Sequence, residues 1–169
     1  GHGAEQVRRA VAMANPEAEV VVQAEQLGTG HAVAQAMPAL AGFEGRVVVL
    51  YGDTPFIGAE TLQAMLDAPA DVVVLGFEAA DPGRYGRLII GPHGLERIVE
   101  FKDATPEERA ITLCNSGVIA ADAGHLARLV AGLGSENAAG EYYLTDVVAA
   151  ARAEGLRAAV VTCPEAETL

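Results

Sequence analysis

Gln23-Ala24-Glu25-Gln26-Leu27-Gly28-Thr29-Gly30 begins where a β-branched run, Val20-Val21-Val22, stops, and it ends where a helical pattern starts. The same change of character recurs at Leu50-Tyr51-Gly52-Asp53-Thr54-Pro55, after Val47-Val48-Val49. In an open α/β sheet, ligands bind outside the carboxyl ends of the strands, where polar side chains and backbone amides converge. Two such endings, one with an amide and glycines and the other with a carboxylate, read as two sides of a nucleotide site.

The flanking sequence supplies the elements such a site needs. Residues 4–14 set Val7, Ala10, Val11 and Ala14 at helical spacing until Pro16, and residues 19–23 read as a short strand. Residues 31–37 read as a helix ended by Pro38. Residues 46–51 read as a strand buried on both faces of a parallel sheet. A helix over 59–68 follows, with Leu62, Met65 and Leu66 inward, and then a buried strand over 71–77. This alternation argues for a parallel, helix-covered sheet. The pattern then changes. Residues 84–90 and 95–102 flank the turn Gly91-Pro92-His93-Gly94 as a hairpin. Thr105-Pro106-Glu107-Glu108 starts a short helix with a capping threonine and proline in the first turn. A strand over 111–120, interrupted by Asn115-Ser116-Gly117, precedes helices over 123–131 and 144–154 and a last strand over 157–162.

Composition narrows the function. At 169 residues the chain is one domain, and with 51% apolar but only 5% aromatic residues its core is aliphatic. No apolar run approaches the ~20 residues of a membrane-spanning helix, so no membrane partner is expected. A net charge of −12 opposes non-specific nucleic-acid binding. A phosphorylated ligand then needs a cation beside it, either magnesium or a local lysine or arginine. Cys114 and Cys163 lack C-x-x-C spacing and read as buried thiols of a reducing cytoplasm. His2, His31, His93 and His125 sit at no metal-ligand spacing and receive no role. The first residues, Gly1-His2-Gly3-Ala4-Glu5, are not a secretory signal and lack a starting methionine, so the chain reads as an excerpt of a longer polypeptide.

Six ordered segments carry a family resemblance: residues 23–31, Tyr51-Gly52-Asp53-Thr54-Pro55, Tyr85-Gly86-Arg87, Glu100-Phe101-Lys102-Asp103-Ala104, Asn115-Ser116-Gly117 and Gly140-Glu141-Tyr142-Tyr143-Leu144-Thr145-Asp146. Together they closely resemble the uridyltransferase domain of bacterial bifunctional N-acetylglucosamine-1-phosphate uridyltransferase/glucosamine-1-phosphate acetyltransferases. Six motifs in order are far more specific than a lone glycine motif. The resemblance implies a Rossmann-like nucleotidyltransferase fold, a three-layer α/β sandwich with a mixed, mostly parallel sheet. It implies a nucleotide-binding part over residues 1–83 and a sugar-binding part over 84–169. The implied reaction joins UTP to N-acetylglucosamine 1-phosphate with Mg2+, giving UDP-N-acetylglucosamine for cell-wall precursors, and pyrophosphate, in the cytoplasm. The family's opening strand, its glycine-rich loop with a lysine, a late asparagine and its β-helix acetyltransferase domain have no counterpart here. The expectation is therefore a domain truncated at both ends, with an exposed sheet edge, inactive alone, whose parent forms homo-oligomers through the absent domain.

The resemblance also assigns residues. Gln23 suits uracil, because a carboxamide offers a donor and an acceptor to the imide edge; otherwise it is an exposed strand-end glutamine. Gly28 and Thr29 bring backbone amides to the base or ribose, or else form an ordinary turn with Thr29 capping. Asp53 is the expected magnesium ligand, against the alternative of a turn aspartate closing onto Pro55. Tyr51 and Gly52 line the nucleotide, with core packing the competing use of Tyr51. Gly86 offers an amide to the sugar, while Glu100 and Asn115 bond its hydroxyls. Pairing of Glu100 with Arg97 or Lys102 is the alternative. Tyr143 and Thr145 border the acetamido group, or form a helix-start cap and a core contact. No catalytic residue is assigned. A nucleotidyltransferase for another sugar phosphate or base, and a non-catalytic nucleotide-sugar-binding module, remain the competing readings.

Overall fold

In the computed structural model, which describes residues 3–168, the chain runs through six α-helices and six strands among the described residues. They are α1 (Ala4–Ala14), α2 (Thr29–Ala36), β1 (Arg46–Val49), α3 (Ala59–Asp67), β2 (Val72–Glu78), β3 (Arg87–Gly91) and β4 (Gly94–Val99). Then come α4 (Pro106–Arg109), β5 (Leu113–Asp122), α5 (Ala123–Ala131), α6 (Val147–Ala153) and β6 (Ala158–Thr162). His2, given no role from sequence, lies outside the described residues.

The sheet order is β4-β3-β5-β2-β6, with β1 also paired to β5. Side chains of β2 alternate between two cores, as strand geometry requires. Val72 and Val74 join Leu126 and Leu129 of α5 and Val147, Val148 and Ala151 of α6. Val73, Leu75 and Phe77 face the other way, onto Met65 of α3. Helices on both faces make the expected three layers. Among the described residues no helix is long and apolar enough to cross a membrane.

Strand direction needs a correction. β1, β2, β3 and β6 run one way, yet β5 runs against them from a central position. Only β2–β6 is therefore a parallel ladder, while β1–β5, β2–β5, β3–β4 and β3–β5 are antiparallel. The sheet is mixed, but its hydrogen bonding is not mostly parallel. One edge of β5 serves two partners: Cys114 pairs with Arg87 of β3, and Ile119 to Asp122 pair with β1. Between them lies the interruption read at residues 115–117, where the β2 ladder shifts register between Val74 and Gly76. The sheet splits there.

Three local expectations also change. Residues 19–23 form no strand, because among the described residues none lies alongside to complete a ladder, and Val21 and Val22 stay exposed. β1 ends at Val49 and is half-buried rather than covered on both faces, since β5 is its only ladder partner among the described residues. α1 forms where expected, but its periodic face buries nothing, and Met13 is 88% exposed.

Candidate active site

The split in the sheet is where polar residues gather. A cavity of about 630 Å³ opens beside residues 115–117, between the end of β1 and the start of β3. Tyr51 and Asp53 enter it from beyond β1, Gly86 from just before β3, and Glu100 from just after β4. Asn115 comes from the bulged part of β5, Tyr143 and Thr145 from the segment before α6, and Thr29 from the first turn of α2. Both sequence halves thus supply one cavity. Gly52 lines an adjoining apolar trough of about 670 Å³ between α2 and β1, a wall of which is also Tyr51. Gln23 and Gly28 line neither.

The trough and cavity meet at Tyr51, whose ring lies on Gly117. A Cβ on Gly117 would sit 2.7 Å from the ring's Cε2, and its φ of +92° is one that side chains rarely adopt. Tyr51 also packs against the larger core, so core packing and cavity lining coexist in one residue.

Glycines 28 and 30 have a different duty. Gly30 N–H donates to Tyr142 O at 2.8 Å, and Tyr142 N–H donates to Leu27 O at 2.8 Å. Leu144 N–H donates to Thr29 Oγ1 at 3.0 Å. A Cβ on Gly28 would stand 2.6 Å from Tyr142 O, and one on Gly30 would stand 2.5 Å from Leu133 Cδ1. These glycines let the 27–30 turn close on residues 142–144. Thr29 does not cap α2; Gly28 occupies the cap position, and the Thr29 hydroxyl serves the distant segment instead.

Glu100 makes none of the hairpin ion pairs weighed from sequence. Arg97 pairs with Glu108, while Thr145, only 4% exposed, donates its hydroxyl to Glu100 Oε1 at 3.0 Å. A Cβ on Gly86 would lie 3.4 Å from the same carboxylate. Asn115, 8% exposed, accepts from Gly117 N–H through Oδ1 at 3.0 Å, and its own N–H donates to Gly86 O at 2.9 Å. Gly86 sits at the end of a loop held by Arg87. That side chain is 2% exposed, and its guanidinium donates to the carbonyls of Pro82, Gly83, Tyr85 and Arg109.

The electrostatics are acidic. Asp53, Glu100 and Glu141 line the cavity, and Arg84 is its one cationic wall residue among the described residues. Burial pushes the Glu100 carboxyl above the ordinary glutamate range, with Thr145 partly opposing and Asp146 and Asp103 adding. Burial likewise raises Asp146, and Asp103 beside it adds to the rise. The Tyr51 hydroxyl is raised by burial, against the Thr29 hydroxyl, and further by Glu100 and Asp53. Among the described residues no three His, Cys, Asp or Glu side chains cluster as a metal cage. Asp53 stands exposed on the wall, as a single carboxylate shared with a ligand's own oxygens would.

Residues 2–113, more than half of the chain, match the model of the MobA-like NTP transferase domain family. The chain belongs to that family. Among curated relatives of this NTP transferase chain, "Bifunctional protein GlmU" of Paracoccus denitrificans is 68% identical over 169 residues, all of this chain and 38% of the relative. The proteins of that name from Dinoroseobacter shibae and Cereibacter sphaeroides are 67% and 68% identical, again over 100% of this chain and 38% of theirs. The resemblance carried by the six motifs is thereby borne out, and the chain spans well under half the length of these relatives. A solved structure, a nucleoside-diphosphate-sugar pyrophosphorylase from Vibrio cholerae RC9, superposes with a TM-score of 0.69, 98% of this chain covering 70% of that one at 14% identity. That likeness shows the fold: an NTP transferase α/β sandwich.

Sequence reading left several cavity residues without a role. Thr54, Tyr85, Ser116, Gly117 and Glu141 lie within quoted motifs but carry no assigned role, and Arg84 and Thr168 also line the wall. His31 was set aside for lacking metal-ligand spacing, yet its ring meets Gln23 and Gln35. No local pattern announces such a contact.

Proposed function

We propose that this chain carries the uracil-, sugar- and metal-contacting part of a uridyltransferase that makes UDP-N-acetylglucosamine and pyrophosphate from UTP and N-acetylglucosamine 1-phosphate. The observation that carries the reading is the convergence of Asp53, Gly86, Glu100, Asn115 and Thr145 on one cavity from five separate chain segments. Relatives named for a bifunctional protein and the NTP transferase family support it.

In this reading the sugar phosphate oxygen attacks the α-phosphorus in line with departing pyrophosphate, a step that rests on positioning and charge neutralisation. Glu100, held by Thr145, accepts from a sugar hydroxyl, and the Gly86 amide and Asn115 carboxamide complete the polar set. Mg2+ keeps waters and takes one or two carboxylates plus phosphate oxygens, so a lone exposed Asp53 fits it. When bound there, the ion would neutralise phosphate charge that the acidic wall otherwise repels. In the same reading the product serves cell-wall precursor synthesis in the cytoplasm, and the protein works as a homo-oligomer.

Calorimetry of the chain with UDP-N-acetylglucosamine, UDP-glucose and CDP, with and without Glu100→Ala, tests this. The N-acetylated ligand should bind most tightly, and Glu100→Ala should weaken it about tenfold or more, as loss of a charged hydrogen bond does. Equal binding of all three ligands, or no effect of Glu100→Ala, defeats the reading. UTP-dependent pyrophosphate release by the chain alone would show that it needs no further phosphate clamp.

A further inference from the structure

α3 starts after Gly58, a cap position with no side chain to turn back on the helix. In a capping box the third helical residue is a glutamate or glutamine that takes the cap residue's N–H. Here that position holds Thr61. The carboxylate comes instead from Glu167, 109 residues beyond Gly58: its Oε2 accepts the Gly58 N–H at 3.0 Å and the Thr61 hydroxyl at 2.8 Å. Both partners can only donate to a carboxylate, so the sense of each bond is fixed. The partial positive charge of a helix N-terminus favours an anion there as well.

Glu167 belongs to residues 163–168, which follow β6 and are tied down along their length. Cys163 N–H donates to Gly76 O at 3.0 Å, and the Glu165 carboxylate takes the Ala80 N–H at 3.3 Å. Thr168, the next residue after Glu167, is 5% exposed and lines the cavity. Asp53, in the loop that leads into Gly58, lines the same cavity. One carboxylate therefore joins two segments that each supply the cavity wall. At its near end the Asp53 loop is closed by Thr54, whose N–H and hydroxyl both donate to Tyr51 O, at 3.3 and 3.2 Å. At its far end Ile57 packs on the smaller core, a contact without direction, and the Glu167 bonds supply the direction. Among the described residues no hydrogen bond ends on the Asp53 carboxylate, so the backbone decides where it stands.

We infer that Glu167 is a positioning residue for Asp53: by fixing the start of α3 against the segment that carries Thr168, it holds the Asp53 carboxylate on the cavity wall for a divalent cation. This rests on the reading of Asp53 as the metal contact. Without the tie, the loop samples other conformations and Asp53 is at the wall for a smaller fraction of the time, which weakens a cation's grip by that fraction. Gly86, Glu100 and Asn115 come from other segments. Binding that needs no cation is then left as it was.

The test measures UDP-N-acetylglucosamine affinity by calorimetry, in magnesium and in chelator at one ionic strength. The full chain is compared as wild type, Glu167→Ala, Glu167→Gln and Asp53→Ala. Amide hydrogen exchange of the unliganded chain is followed at Thr54, beside Asp53 and outside the bonds that Glu167 itself makes. Glu167→Ala should lose about fivefold or more of the magnesium response, keep the affinity in chelator, and exchange the Thr54 N–H about tenfold faster. Glu167→Gln keeps an oxygen for both donors and should stay within about twofold of wild type in both readouts. Should Glu167→Ala fail to fold, Thr61→Val removes one of the two bonds and must shift both readouts the same way. A full magnesium response in Glu167→Ala, with that response lost in Asp53→Ala, overturns the inference alone. So does equal weakening in magnesium and in chelator, the mark of a merely structural role, or an unchanged Thr54 exchange rate. A magnesium response kept in Asp53→Ala, or missing from wild type, removes Asp53 as the metal contact and takes the inference with it.

Discussion

Glu100 shows how one side chain is pulled in two directions. Its carboxylate lines the cavity and takes the Thr145 hydroxyl at 3.0 Å, but burial raises its carboxyl above the ordinary value of 4.5, and nearby Asp146 and Asp103 push the same way. A carboxyl raised in the folded state keeps its proton to higher pH than in the unfolded chain. Its contribution to stability is full below the unfolded value and is lost as pH rises through the folded one. Glu100→Gln stays neutral throughout and still accepts from Thr145 through its amide oxygen. The variant's melting temperature should therefore match wild type near about pH 4 and exceed it near about pH 7.5. A difference independent of pH would mean that Glu100 is not penalised by burial. This residue was legible in the sequence because it lies in a motif. Its pairing with Thr145, 45 residues away, was not, and neither was the Tyr51 ring on Gly117, because such pairings exist only once the sheet has split.

Elements with strong local signals matched the structure closely. Thr105 and Glu108 form the full reciprocal cap of α4, and the 84–102 hairpin narrowed to β3 and β4 about its turn. Elements that depend on neighbours did not match. Val20-Val21-Val22 has strand propensity, yet a strand is made by its ladder, and none lies beside it among the described residues. The direction of β5 is likewise invisible locally, since an apolar run reads alike in parallel and antiparallel settings. The loop before β3 is the clearest case of an element ordered from outside its own sequence pattern. Arg87 uses its whole guanidinium fork to tie backbone carbonyls from residues 82–85 to that of Arg109, at the end of α4. Lysine has the charge but not the fork. Arg87→Lys should cost about 2–3 kcal/mol in urea unfolding, since several carbonyls lose a charged donor from a buried side chain together. A loss below half a kcal/mol would show that the loop holds itself.

At the scale of the molecule, charge is the dominant constraint. The chain carries −12 overall, and its cavity presents Asp53, Glu100 and Glu141 against a single Arg84 among the described residues. A diphosphate entering that field meets net repulsion, and simple salt screens only the part of it that lies beyond about a Debye length, ~8–10 Å. A divalent ion held by Asp53 would reverse the sign locally, where screening cannot. On the proposed function, binding of the nucleotide sugar and of magnesium would then be coupled, each tightening the other by the same factor. At constant ionic strength, saturating Mg2+ should tighten UDP-N-acetylglucosamine on the order of tenfold, and Asp53→Ala should bind with nearly the magnesium-free affinity whether or not the ion is present. Titrations at matched ionic strength, in magnesium and in chelator, separate this coupling from screening. If Asp53→Ala kept the full magnesium response, the ion would be held by the ligand alone, and Asp53 would be the turn aspartate that its place before Thr54 and Pro55 also permits.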